Sequence, residues 1–315
     1  MFERVLVTGG AGFIGSHLCE ALLEQGREVL VLDNFNDFYD PAIKRKNVEK
    51  ALTYSEYSLK DGDIRDGDLV DEIMTQFKPQ AMVHLAAMAG VRPSIQKPLL
   101  YNSVNVGGTM VLLEAMKKHP VENFLFGSSS SVYGSHDKVP FSEKDILSRP
   151  ISPYAATKLA GEQLCFTYHH LYGIPVSCHR FFTVYGPRQR PEMAIHLFAR
   201  NILEGEPVTI YGDGSSRRDY TYVDDIIDGV IRSLDRPQDF EIFNLGESRT
   251  VGLLKMVEIL QEALGLKADI RYEPDQPGDV PLTYADVSKA AEVLGYEPST
   301  PIEDGIRRFV EWLRT

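Results

Sequence analysis

Short runs of consecutive apolar residues alternate along this chain with longer stretches in which apolar residues recur at helical spacing. VLVTGG is followed by FIGSHLCEALLEQG and then EVLVLD. Farther on come AMVHLAA, a helical stretch around Val104 to Lys118, NFLFGSS, a second helical stretch from Pro153 to about Leu171, and PVSCHRFF. A strand that is apolar at every position has both faces covered, so such strands interleaved with amphipathic helices imply a parallel sheet flanked by helices on both sides. The pattern predicts a doubly wound parallel α/β domain. Past about Arg180 the rhythm loosens, Pro and Gly become frequent, and short strands such as PVTIYG and DIRYEP stand between loops, which predicts a smaller second lobe. YTYVDDIIDGVIRSL followed by FEIFNLG reads helix then strand again. The expected division is therefore 1–180 with 220–246 in the first domain, and 181–219 with 247–315 in the second.

A length of 315 residues suits a large α/β unit with an added lobe. Its 43% hydrophobic and 25% charged residues are ordinary for a globular chain, and no low-complexity tract interrupts them. A net charge of −12 argues against nucleic acid or an anionic membrane as partner, so any phosphate site must be a local basic pocket. Cys19, Cys165 and Cys178 are odd in number and widely spaced, which suits a reducing cytoplasm and three small core residues. MFERVLVTGG has no signal-peptide pattern, and nowhere do eighteen apolar residues run together, so a cytoplasmic protein without an anchor is expected.

Gly9, Gly12 and Gly15 in TGGAGFIG follow a strand-like run and open a helix. In a dinucleotide-binding turn, glycines permit the tight bend, let backbone N–H groups approach a pyrophosphate and let the helix pack on the strand. Asp33 ends the next strand-like run, where a carboxylate can accept from ribose hydroxyls and would repel a 2′-phosphate, so NAD is favoured over NADP. Arg27 and Lys44, the nearest cations, are expected on the solvated surface.

Ser152 and Pro153 read as the N-cap and first residue of a helix on which Tyr154 and Lys158 stand four apart, on one face. A tyrosine of ordinary pKa about 10 is a poor base; bringing it near 7 costs roughly 4 kcal/mol. An ammonium beside the phenolate and a cationic nicotinamide ring in a partly desolvated cleft could supply that. GSSSSVYG, from Gly127 to Gly134, places hydroxyls after the strand NFLF. Ser129 is the candidate that shares a hydrogen bond with a substrate oxygen and the tyrosine. His84, His169, His170 and His179 show no metal-ligand spacing, and neither HExxH nor GxSxG occurs; no metal is expected.

TGGAGFIG, LDN, GDIRD, HLAA, NVGGT, SSSSVYG, YAATK, RFFTVYGP, RRDYTYVDD and PGD occur in the order shown by the extended short-chain dehydrogenases/reductases, which the chain resembles over nearly its whole length. The likeness is to the NAD-dependent epimerase/dehydratase branch, a Rossmann-type fold with a smaller C-terminal α/β lobe for the substrate. It implies that Asp63 and Ile64 flank the adenine, that Phe13, Ile14, Asn34, Leu85, Ala86 and Ala87 line the cofactor, and that Asn105 supports the nicotinamide end. It implies Tyr154 as acid/base, Lys158 as its partner, Arg218 on a diphosphate, Asp279 on a uridine ribose, and Arg92 at the substrate. The implied chemistry is reversible oxidation at sugar C4, with the ketone turned over and reduced from the other face. A homodimer, paired through the helices around Val104 to Lys118 and Pro153 to Leu171, is a family expectation.

Within that branch, dehydratases and decarboxylases carry acids where this chain has Ser130 and Ser131, so simple inversion is favoured. DNFNDFYDPAIKRKN, AGVRPSIQKP, FFTVYGPRQRPEMAIHLF and EPDQPGDVPLTYAD look like the UDP-glucuronate 4-epimerases. Ser130, Ser131, Thr183 and Arg190 are expected to grip the sugar carboxylate. Gln276 stands where UDP-galactose epimerases have an arginine, and their lysine near Ala89 is absent. A 4-epimerase of UDP-glucose or UDP-N-acetylglucosamine stays open as the alternative.

Overall fold

The computed structural model describes residues 1–135, 138–275 and 280–315. Its main sheet has seven parallel strands in the order β3-β2-β1-β4-β5-β6-β11. These are β1 (Arg4–Thr8), β2 (Glu28–Asp33), β3 (Tyr57–Asp61), β4 (Ala81–His84), β5 (Asn123–Ser129), β6 (Val176–Phe181) and β11 (Phe240–Leu245). The three short pairs outside that sheet are β7 (Thr183–Tyr185) with β10 (Tyr220–Tyr222), β9 (Arg217–Arg218) with β12 (Val251–Gly252), and β8 (Val208–Tyr211) with β13 (Ile270–Glu273).

Side chains alternate across the sheet even where every position is apolar. Val5, Val7, Val29, Val31 and Val83 enter one core with Leu18 and Leu22 of the helix Phe13–Glu24. Leu6, Leu30, Leu32 and Met82 face the other way, onto Ile73 and Met74 of the helix Gly67–Phe77 and Leu112 and Met116 of the helix Thr109–Lys118. Helices therefore cover both faces. Asn123 on β5 donates to the carbonyls of Ser233 and Leu234 (3.2 and 3.0 Å), which ties the returning helix Val223–Leu234 to the first sheet ahead of β11.

Two elements escape the sequence pattern. Strand β3 has one buried residue among five, because it is the sheet's edge and shows water most of its side chains. The stretch around Val104 is a seven-residue π-helix, Asn102–Gly108, before regular helix begins at Thr109. A π segment widens the turn and commonly marks a functional site.

Candidate active site

The C-terminal ends of the strands open into one cavity of about 470 Å³, where ligands bind in sheets of this winding. On the β1–β3 side the wall is largely backbone. Gly9 has φ +75, and a Cβ there would stand 2.6 Å from the Ala86 nitrogen, so only glycine fits. Gly12 is the N-cap of the helix Phe13–Glu24 and offers no capping side chain, which leaves the first-turn N–H groups available to an anion. Asp33 accepts from Ala11 N (3.0 Å) and Phe35 N (2.9 Å), so it stitches the glycine turn to the end of β2 while lining the cavity. Burial pushes its carboxyl upward. Asp63 accepts from Arg65 and from Asn34 Nδ2 (2.9 Å), and the Arg65 guanidinium holds it down at about 2. Phe13, Ile14, Gly15, Asn34, Ile64, Leu85, Ala86 and Ala87 all line the same wall. These residues fit a dinucleotide: a cradle that a Cβ would fill, a helix N-terminus for phosphate, and a carboxylate placed for a ribose.

Asn105 does not line the cavity. Its amide bonds the Met88 nitrogen and carbonyl (2.8 and 2.9 Å) and Thr157 Oγ1 (3.0 Å), so it braces the segment after β4 against the helix Pro153–Tyr172. Lys44 and Arg27 are not solvated, contrary to the sequence expectation. Lys44 is buried at the cavity wall with its ammonium on the carbonyl and side chain of Asn36. Arg27 is buried and paired with Asp235 at 2.7 Å, because the returning helix folds over it.

On the other side the wall is made of side chains. Ser152 Oγ accepts from Ala155 N (3.1 Å) and Pro153 occupies the first turn, so the helix starts where its sequence says. That start brings Tyr154 to the cavity, where it shares a hydrogen bond with Ser129 at the end of β5 and meets the edge of the Tyr101 ring (centroids 6.2 Å apart). Lys158 is buried, donates to the Gly127 carbonyl at 2.6 Å, and stands 6.0 Å from the centre of the Tyr154 ring. The expected acidification of the phenol by Lys158 is not a property of the chain alone. Burial pushes Tyr154 up, offset in part by Ser129 and Arg190, and burial pulls Lys158 down to about 8. Both groups lose solvation, and the ammonium points at a carbonyl.

Ser130, Ser131, Thr183, Arg190 and Arg218 line this half of the cavity. Arg190 is braced by Glu192 (3.1 Å) and lies over the Phe38 ring at 5.5 Å. Ser131 Oγ is buried with no hydrogen-bond partner among the described residues. Arg92 is exposed, with its guanidinium over the Tyr211 ring at 4.7 Å, and it does not line the cavity. Asp279 and Gln276 lie outside the described residues. Sequence reasoning passed over Asn36 and Phe38, which line the cavity beside Lys44 although DNFNDFYDPAIKRKN stands out as a block. It also passed over Glu162, whose signal was its place four residues beyond Lys158.

A parallel sheet with a glycine turn after its first strand and a serine, tyrosine and lysine gathered at the end of its fifth defines a short-chain dehydrogenase/reductase of the extended, two-lobed kind. Residues 6–309 match the family model described as GDP-mannose 4,6 dehydratase, and the chain belongs to that family. It is 42% identical to a UDP-glucuronate 4-epimerase of Thermodesulfobacterium geofontis over 98% of this chain and 95% of the relative. A crystal structure of UDP-glucuronic acid 4-epimerase from Bacillus cereus, in complex with UDP-glucuronic acid and NAD, superposes with a TM-score of 0.93 at 37% identity over 99% of both chains. A UDP-glucose 4-epimerase of Thermotoga maritima with UDP-glucose gives 0.92 at 34% identity, covering 99% of this chain and 98% of that one.

Proposed function

We infer that this chain interconverts UDP-glucuronate and UDP-galacturonate by inverting C4, with NAD as a cofactor that ends each cycle as it began. One observation carries the choice of reaction. Among the described residues, the acids lining the cavity are Asp33 and Asp63, at the ends of β2 and β3. Among the described residues, the half that holds Tyr154 has hydroxyls and arginines but no carboxylate. Elimination or deliberate decarboxylation needs a further acid or base at the sugar; inversion needs only one group that removes and returns a proton.

When bound, NAD supplies the hydride exchange that makes C4 transiently trigonal. Gly9, Gly12, Gly15, Asp33, Asp63, Leu85 and Ala86 would hold it. Tyr154 takes the proton of the 4-hydroxyl and gives it back, Ser129 holds the same oxygen, and Lys158 favours the tyrosinate by its charge. Ser130, Ser131, Thr183 and Arg190 grip the C5 carboxylate, a reading supported by the unpartnered Ser131 hydroxyl and the braced guanidinium of Arg190. A 4-keto glucuronate is a β-keto acid that loses carbon dioxide readily, so this grip must hold the carboxylate where that loss is disfavoured. Arg218 meets the diphosphate, with Asp279 assigned to the ribose on sequence grounds. Arg92, next in sequence to the cavity-lining Val91, is assigned to the substrate on sequence grounds alone.

The smaller lobe, 181–219 with 247–315, is the nucleotide-sugar side of this division and 1–180 with 220–246 the NAD side. Among the described residues no helix is long and apolar enough to cross a membrane. A cytoplasmic location is supported by three buried, unpaired cysteines. A homodimer is supported by Phe166, Leu171 and Tyr172, which stand exposed along the helix Pro153–Tyr172. Proton NMR of the protein with UDP-glucuronate tests the activity: a two-epimer equilibrium without pentose is expected, whereas turnover of UDP-glucose with UDP-glucuronate left untouched overturns it.

A further inference from the structure

The helix Pro153–Tyr172 carries a third polar residue on the face of its catalytic pair. Tyr154, Lys158 and Glu162 are four apart in succession, and each meets one of three consecutive residues of β5. Tyr154 bonds Ser129, Lys158 donates to the Gly127 carbonyl at 2.6 Å, and Glu162 accepts from Ser128 Oγ at 2.5 Å. Glu162 is wholly buried, and its carboxylate takes a two-pronged bond from Arg180 on β6, Nε to Oε1 at 2.9 Å and Nη2 to Oε2 at 2.7 Å. Arg180 also donates to the Tyr133 hydroxyl (2.9 Å), which donates to Asn244 on β11 (2.7 Å). Asn244 in turn donates to the carbonyls of Phe141 and Asp286.

A buried ion pair is weak as a source of stability, since apolar residues of like volume commonly do as well or better once desolvation is counted. What a two-pronged pair does supply is geometry. Gly161 beside it lets the helix lie against the Phe126 ring, where a Cβ would stand 2.3 Å from the ring. A two-pronged bond next to so close a contact limits how far the helix can slide along the strand. We infer that Glu162, oriented by Arg180, is a positioning residue that holds the Tyr154–Lys158 helix in register with Gly127–Ser129 and provides the counter-charge of Lys158.

The charge part follows from what surrounds the ammonium. Its own helix brings Tyr154, Glu162 and Cys165. Strand β4 brings His84, buried between Thr8 and Thr109 and pushed down to about 3, hence neutral. Strand β6 brings Cys178, whose thiol burial pushes up and so keeps neutral, and Arg180, which is bonded to the Glu162 carboxylate. Glu162 is the one carboxylate among these groups. The Asn244 branch runs on to Glu143, which accepts from the Asn244 nitrogen at 2.8 Å.

The inference rests on the tyrosine–lysine reading above, and the wild-type protein, assayed beside the variants with UDP-glucuronate, tests that reading separately. Glu162→Gln keeps the shape and removes the charge. We expect kcat to fall about tenfold with KM for UDP-glucuronate and bound NAD little changed. The alkaline limb of kcat, where Lys158 loses its proton, should move down by roughly half to one pH unit. Glu162→Gln/Arg180→Gln removes both charges and leaves amides able to bond one another. A double variant with restored melting temperature but low kcat and a shifted limb supports the inference; restored kcat with an unshifted limb shows a merely structural pair and overturns it. Should either variant fail to fold, Ser128→Ala, which keeps both charges, reads the register part alone: kcat lower by about threefold at constant KM supports it, and unchanged kcat overturns it.

Discussion

At the ends of β1, β2 and β3 the cavity wall is made by backbone: a glycine turn, a helix N-terminus, and Asp33 bonded to two nitrogens of neighbouring loops, the farther one 22 residues away. At the ends of β5 and β6 it is made by side chains that cross the molecule, from Ser128 to Glu162 and Arg180, and from Tyr133 to Asn244 111 residues on. In the function proposed above, the first half recognises a ligand whose shape is constant, for which peptide groups suffice. In the same proposal the second holds a phenol, an ammonium and a hydroxyl in a set relation while the sugar turns over between them. Such precision comes from packed helices and strands locked by further bonds.

The contrast can be broken most severely at Tyr154. Tyr154→Phe keeps the ring contact with Tyr101 and removes the proton carrier, so turnover should fall by roughly a thousandfold or more, while calorimetry should show UDP-glucuronate still binding. Unchanged turnover would end the mechanism proposed above. Arg190→Ala comes next. We expect kcat/KM for UDP-glucuronate to drop about 10- to 100-fold, in line with about 1.5–3 kcal/mol for a charge-assisted bond, and UDP-pentose to appear by mass spectrometry as the carboxylate is released.

On the backbone side the effects are smaller. Asp33→Asn keeps an acceptor for Ala11 or Phe35 but weakens the ribose contact, and NAD affinity by fluorescence titration should fall about tenfold. NADP should lose less, since a repelling charge has gone.

The pH dependence separates activity from stability. Lys158 is pulled by burial from 10.5 to about 8. Between those values the unfolded chain binds the proton that the folded one has lost, so this group's contribution to stability rises with pH across the window. Activity should fall over the same range as the ammonium is lost, and kcat profiles run beside melting curves from pH 7 to about 10 will show whether the two diverge. The smallest effect expected is at Ser152. Ser152→Ala removes the helix cap and should cost about 1 kcal/mol in denaturant titrations, with kcat little changed because Pro153 still fixes the first turn.

The chain by itself determined much of the fold and the backbone half of the site, since apolar runs, helical spacing, three glycines and a cap serine act within a few residues of where they stand. Tyr154, Lys158 and Ser129 were also legible as types in a pattern. Edge strand β3 was hidden because a half-exposed strand has no apolar run. The burial of Lys44 and Arg27 was hidden because it depends on which loop or returning helix covers them.

Only the tertiary structure decided that Lys158 addresses a carbonyl, that Asn105 braces rather than lines, and that Glu162 and Arg180 meet one turn beyond Lys158. Hydrophobic periodicity is a local property, written in neighbouring residues. Desolvation and ion pairing depend on everything within a few ångströms, whatever its distance along the chain, and exist only once the strands and helices have packed.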